Sequence, residues 1–303
     1  MRLPNFFIIG AAKCGTTSLQ EYLNQHPDVY FGPYKEPNYY SFAGETLSLA
    51  GPAKPENIQE LLYFHTITDL VSYQKQFEDV ADEAAIGDAS VRYLYYPETA
   101  ERIKLACPDA RLIVVLREPV SRLYSHYTMM VQKQLEPLPF AEAIEQEDAR
   151  VAADWGYDWH YTRVSNYAEQ LKRYFSCFDR EQILIHLHDD LVKDAFSVYE
   201  KSCVHLGIDA SFKPVMTQRR KVAYKPNNLA VDKLINWPNP LTNFMKNNLS
   251  FRVQTKVRST VMKWNSAPVP KIDLGLSADL KQRFRLEVEE LETLLGRSLP
   301  WYK

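Results

Sequence analysis

Three short, almost wholly apolar runs punctuate the chain, and each is followed by residues spaced for a helix. Residues 5–9 (NFFII) stop at Gly10, and residues 17–25 then place Leu19, Tyr22 and Leu23 on one helical face. Residues 111–116 (RLIVVL) stop at Arg117, and Pro119, suited to a first helical turn, opens a stretch running through Leu123 and Tyr127. Residues 182–187 (QILIHL) precede a helical pattern over 195–206 that Gly207 closes. Strand runs without alternation are buried on both faces, and their regular exchange with helices predicts a parallel sheet covered on both sides. Shorter strands are expected at 29–31 and 85–89, and amphipathic helices at 97–106 and 167–178. A terminal helix is expected over 280–295, where Phe284, Val288, Leu291 and Leu295 recur and Gly296 follows. Between these, 214–276 is rich in Asn, Pro and basic residues with weak periodicity, and reads as an excursion from the sheet or a lid. No internal repeat is found. The expectation is an α/β fold, a single P-loop-like domain over 1–303.

Composition adds bounds. A chain of 303 residues with 46% hydrophobic content can bury a full core. Nowhere do about 20 uncharged apolar residues run together, as a membrane-spanning helix requires. No basic leader with a cleavage site precedes the first strand, so a soluble, cytoplasmic protein is expected. Cys14, Cys107, Cys177 and Cys203 fit neither a zinc spacing nor a dithiol motif, and read as reduced thiols. The formal charge of −2 favours no nucleic-acid partner. That charge is unevenly spread: between 213 and 271 there are twelve Lys or Arg against the single acid Asp232, so the segment is +11 and the remainder, 24 basic against 37 acidic, is −13. Such a segment closes over an anionic ligand, presents charge to an anionic acceptor, or forms a solvated face.

The chemistry concentrates in GAAKCGTT, residues 10–17, lying between a buried strand and a helix. Small residues there let backbone N–H groups turn around an anion, and the helix start adds its positive dipole end. Against the triphosphate loop G-x-x-x-x-G-K-[ST], both glycines and Thr17 fit, but Thr16 stands at the lysine position and Lys13 lies inside the loop. The 111–116 strand ends in Arg117, where a triphosphate enzyme typically carries an acid near its magnesium. The site therefore reads as metal-free, for a ligand with two anionic ends, one of them facing the planar fork of Arg117.

GAAKCGTTSL, then KEPNYYSF, then LIVVLREPVSRLYSHY resembles, in that order, the sulfotransferases that use 3′-phosphoadenosine 5′-phosphosulfate (PAPS), in particular the heparan sulfate and bacterial branch. The ending LGRSLPWY is also similar to that family's. The resemblance implies an enzyme moving a sulfuryl group from PAPS to an acceptor hydroxyl. It places Lys13, Cys14, Gly15, Thr16, Thr17 and Ser18 around the 5′-phosphosulfate and Arg117 with Ser125 on the 3′-phosphate. It makes Glu36 the general base and gives Lys13 the leaving phosphate to stabilise. Cytosolic members of the wider superfamily use a histidine, which makes His65 the competing base. Lys35, Asp88 and Tyr93 fall on the acceptor side, and relatives fold a loop over the 3′-phosphate to which Arg219, Arg220 and Lys221, or else Lys225, would belong, with no motif to fix which. His126 reads as a helix residue near the nucleotide.

Two other classes fit the loop alone: a P-loop kinase, which would need the missing lysine and magnesium ligand, and a nucleotide-binding protein without catalysis, which would have no need of Glu36 and Lys13. The acceptor stays open among a glycan, a lipid or other small molecule, and a β-hydroxyacyl chain on a carrier protein.

Overall fold

A computed structural model describes residues 2–216, 224–237, 239–248 and 250–302. Five parallel strands form the central sheet: β1 (Phe6–Gly10), β2 (Val29–Phe31), β3 (Ala85–Ala89), β4 (Arg111–Leu116) and β5 (Ile183–Leu187), in the order β2-β3-β1-β4-β5. β1 is central, pairing Phe6 with Gly87 of β3 and with Arg111 of β4. Its Phe6, Phe7, Ile8 and Ile9 are all at most 1% exposed, which explains an apolar run without alternation: helices cover both of its faces. Gly87 has a packing reason, since a Cβ there would stand 2.4 Å from the Phe6 ring and 2.5 Å from Phe31. Those two rings meet edge to face at 5.3 Å across the strand.

The expected helices form at Thr16–Leu23, Thr99–Ala106, Pro119–Gln132, Tyr167–Cys177 and Ala195–Leu206, the last closed by Gly207. Pro119 occupies the first turn of its helix, and Glu118 caps it by accepting from the N–H groups of Val120 and Ser121. No described helix is long and apolar enough to cross a membrane.

Two regions depart from the sequence expectation. The single terminal helix is two, Leu274–Arg283 and Arg285–Leu295, joined at Phe284. Leu280 and Phe284 pack into a cluster around Trp159 and Leu123, whereas Val288, Leu291 and Leu295 pack into the main core over the sheet. One straight apolar stripe cannot serve both, so the axis turns where the partner changes. The 214–276 stretch holds more regular structure than its periodicity implies: helices Leu229–Asn236, Pro240–Asn248 and Phe251–Trp264, and an antiparallel pair, Tyr224–Pro226 with Ser266–Pro268. Its asparagines act locally. Asn228 caps the first of these helices, and Asn265 both accepts from the Asn228 N–H and donates to its carbonyl. Trp237 anchors the stretch to the body by donating its indole N–H to the Lys133 carbonyl at 2.9 Å.

Because all five strands run the same way, their carboxyl ends share one edge. The loops leaving that edge carry Lys13, Lys35 and Glu36, Arg92, Arg117, and His188. Ligands of open α/β sheets bind at this edge.

Candidate functional site

The loop after β1 has the geometry of an anion cradle. Gly15 sits at φ 95°, in the left-handed region, and a Cβ there would meet Leu191 at 2.7 Å. Lys13 also has a positive φ of 68°, uncommon for a residue with a side chain. The Thr16–Leu23 helix that follows has no side-chain cap and no acid in its first turn. Among the described residues, no hydrogen bond satisfies the N–H groups of Gly15, Thr16 or Thr17. An uncapped helix start with unmet donors and no competing carboxylate suits a phosphate or phosphosulfate. Ser18, half-buried in the same turn, donates its N–H to the Gly15 carbonyl at 3.0 Å. Cys14 faces the opposite way: it is fully buried against Tyr167, and burial pushes its thiol up to about 11, so it shapes the loop from beneath as a neutral group.

Arg117 stands at the end of β4 beside this loop and donates to the Lys13 carbonyl at 3.3 Å. Its sequence neighbour Glu118 is occupied by the helix cap and by the Tyr302 hydroxyl, 2.6 Å away. Among the described residues Arg117 takes part in no ion pair, although acids are plentiful in the chain. A fork without a carboxylate at a sheet edge is the donor set of an anion site. Ser125 lies half-buried about two turns into the following helix. His188, after β5, lies close enough for the Arg117 charge to help lower its pKa, though burial contributes more. Taken together, the loop, the uncapped helix and Arg117 fit the PAPS expectation.

Across from the loop, Glu36 follows β2 in an unusual conformation. Its φ is 57°, and Asn38, at 53°, donates its side-chain amide to the Glu36 carbonyl at 2.7 Å and to Thr66 at 3.0 Å. Positive φ in a residue other than glycine survives only where the surroundings enforce it, and such positions cluster at functional sites. Lys35 lies 3.7 Å from the Glu36 carboxylate and donates to Thr17 Oγ1 at 2.5 Å, linking this turn to the phosphate loop. On its other side Glu36 meets Arg92 at 3.9 Å. Arg92 is buried, held by both oxygens of Asp158 at 2.8 and 2.9 Å and sandwiched between the rings of Tyr63 and Tyr157. His65 is near as well: its ring stacks on Tyr34 at 5.0 Å, and while burial lowers its pKa, the Glu36 charge pulls it back up. The structure thus brings both base candidates to one side of the site.

Other residues named from the sequence lie elsewhere. Asp88 and Tyr93 are interior: the Asp88 carboxylate accepts from Tyr93 at 2.6 Å, Ser90 at 2.7 Å and Tyr73 at 2.8 Å, so the pair ties the end of β3 to the turn carrying Arg92. Arg219, Arg220 and Lys221 lie outside the described residues. Sequence reading passed over Arg92, Asp158 and Tyr157, because no motif joins residues so far apart; the only cue was an arginine among the tyrosines of RYLYY.

The sequence pattern of the sulfotransferase family matches residues 4–213. In fold, the chain is similar to the crystal structure of a sulfotransferase from Alicyclobacillus acidocaldarius, with TM-score 0.77 and 32% identity over 99% of this chain and 98% of that one. It is 28% identical to human carbohydrate sulfotransferase 15 over 227 residues, 60% of this chain and 40% of that protein. It is 26% identical to human heparan sulfate glucosamine 3-O-sulfotransferase 3B1 over 193 residues, 64% and 43% of the two chains. The chain therefore spans less than half the length of these curated relatives. With its sequence pattern matched over residues 4–213 and its fold similar to that of a solved sulfotransferase, the chain belongs to the sulfotransferase family.

Proposed function

We propose that this chain transfers a sulfuryl group from PAPS to an acceptor hydroxyl, in line and without metal, with Glu36 as the general base. One observation carries this reading: an uncapped, acid-free loop and an arginine without an acid partner among the described residues lie on the same sheet edge as a carboxylate held in a left-handed conformation. PAPS supplies an activated sulfur whose leaving group is a phosphate. The N–H groups of Gly15, Thr16 and Thr17, with Lys13, hold the 5′ end, and Lys13 meets the charge that grows there as the bond to sulfur breaks. Arg117, with Ser125, holds the 3′-phosphate. Glu36 accepts the proton of the attacking hydroxyl, which is a poor nucleophile until a carboxylate within hydrogen-bond reach takes it. Lys35 and Arg92 flank Glu36, one near each carboxylate oxygen.

We read the chain as one domain, in which the basic 213–276 segment presents charge to an anionic ligand and Arg219, Arg220 and Lys221 close over the 3′-phosphate. The names of the curated relatives support a saccharide hydroxyl as the first acceptor class to test. The donor assignment is tested by calorimetry with 3′-phosphoadenosine 5′-phosphate (PAP). PAP is expected to bind equally well with and without chelator. Removing its 3′-phosphate is expected to cost one charge-assisted contact, about 1.5–3 kcal/mol. Binding that disappears with chelator, or tighter binding of ATP than of PAP, overturns the assignment.

A further inference from the structure

The helix Pro119–Gln132 carries a histidine to which the scheme above gives no task. His126 is fully buried, and its Nδ1 lies 3.2 Å from a terminal nitrogen of Arg122. A guanidinium only donates, so Nδ1 must hold the lone pair and the ring proton must sit on Nε2. Arg122 is itself fixed, donating from Nε to Ser165 Oγ at 2.7 Å and from its other terminal nitrogen to the Tyr161 carbonyl at 2.5 Å. Burial, reinforced by the charges of Arg122, Lys13 and Arg92, holds the imidazole pKa well below its usual range. The Arg122 contact therefore sets the tautomer, and burial with the neighbouring charges favours the neutral ring. Among the described residues, its Nε2 has no hydrogen-bond partner. Buried donors are rarely left so in native proteins.

Two further buried polar atoms without partners lie beside it, the Tyr157 hydroxyl and Arg92 Nε. The Tyr157 ring centre is 5.7 Å from that of His126, and the Arg92 guanidinium stands 5.2 Å over the Tyr157 ring. Tyr157 also packs against Ala12 of the phosphate loop. Both Lys13 and Arg92 are near enough for their charges to act on His126. In the proposed reaction Lys13 marks the leaving oxygen, and Arg92 marks Glu36 and hence the attacking oxygen. The sulfur must lie between those two ends.

We propose that the His126 Nε2–H donates a hydrogen bond to a non-bridging sulfuryl oxygen of the donor, making His126 a catalytic residue of the transfer; this rests on the sulfotransferase reading. The sulfur–oxygen bond to phosphate breaks with its electron pair left on the phosphate oxygen. The acceptor oxygen forms the new bond to sulfur and yields its proton to Glu36. His126 keeps its proton throughout and acts as one donor of an oxyanion hole.

PAP, which lacks the sulfuryl group, is the control. In an NMR titration of the wild-type protein labelled at histidine nitrogen, the His126 signals are expected to show a neutral ring protonated at Nε2 from pH 5 to 8. The Nε2–H resonance is expected to move with PAPS and to stay in place with PAP. His126→Phe keeps the ring volume, and is expected to weaken PAPS about tenfold or more while PAP affinity changes less than twofold. His126→Gln, which restores an N–H at similar reach, is expected to recover most of the loss. A resonance that PAPS leaves unmoved overturns the role of His126, even where His126→Phe fails to fold. Equal weakening of PAPS and PAP by both variants, with a fall in Tm, overturns it in favour of a structural residue. Wild-type protein that binds PAP but not PAPS overturns the sulfotransferase reading itself, and the His126 role with it.

Discussion

The donor half of the site and the chamber opposite it are built on different principles. The donor half is local: Lys13 to Ser18 lie on one turn between a strand and a helix, and Arg117 comes from the adjacent strand. Its donors are backbone N–H groups and a fork that meets no acid among the described residues, so it has little stability to lose. The chamber is assembled from four distant pieces: Glu36, Arg92, the turn of Tyr157 and Asp158, and His126. Its Arg92–Asp158 pair is buried, so it depends on the fold and contributes to it. The comparison teaches that anion binding can be encoded in one loop, whereas placing a base against a reacting atom takes packing from across the chain.

The sharpest way to break that comparison is Glu36→Gln. It keeps shape and hydrogen bonding but cannot take a proton. Turnover, measured with labelled PAPS and an acceptor found by screening, is expected to fall roughly 10²–10⁴-fold with PAP affinity unchanged. A normal Glu36→Gln beside a dead His65→Ala would move the base to His65.

Next in size is Arg92→Leu, which leaves Asp158 buried without its partner. Chemical denaturation is expected to show a loss of about 3–5 kcal/mol. A loss below about 1 kcal/mol would show the chamber to be as separable from the fold as the loop. In the donor half the expectation reverses. Arg117→Gln is expected to weaken PAP roughly 10–100-fold, with the denaturation midpoint nearly unmoved, since its charge is spent on ligand and not on a protein acid.

The smallest effect tests the support beneath the chamber. Burial pushes the Asp88 carboxyl up to about 6, against the hydrogen bonds from Tyr93, Ser90 and Tyr73 that favour its ionised form. Its folded pKa thus lies above the unfolded value of 3.8. The folded state then binds more protons in the interval, so stability falls as pH rises from about 4 to about 6 and is level beyond. Denaturation across that window is expected to show a decline on the order of 1–3 kcal/mol in the wild type that Asp88→Asn removes. A flat wild-type profile would contradict a buried, titrating Asp88.

Much of this was legible beforehand where the code is short in range. The strand runs at 29–31, 85–89 and 111–116 emerged with the bounds read from their apolar patterns. The loop and Arg117 could be named because strand, glycines and helix start are contiguous. Glu36 could be named only through the family resemblance, since its left-handed turn is held by Asn38, itself tied to the distant Thr66. The bend at Phe284 was invisible because periodicity reports that a helix has an apolar face, not that its two halves face different clusters. The helices at 229–264 were obscured by asparagines that serve as caps and turn locks, which a composition reading takes for irregular chain.

The sequence by itself determined the sheet, the strand–loop–helix unit around residues 10–17 and the arginine that ends the neighbouring strand, because each follows from periodicity and backbone preference over a few neighbouring residues. Tertiary structure alone decided that Asp88 and Tyr93 are buried and hydrogen-bonded to each other, that Glu36 stands between Lys35 and Arg92, and that Arg122 fixes the tautomer of His126. Those outcomes turn on distances between side chains far apart in the chain, where burial and pairing, not local pattern, set the chemistry.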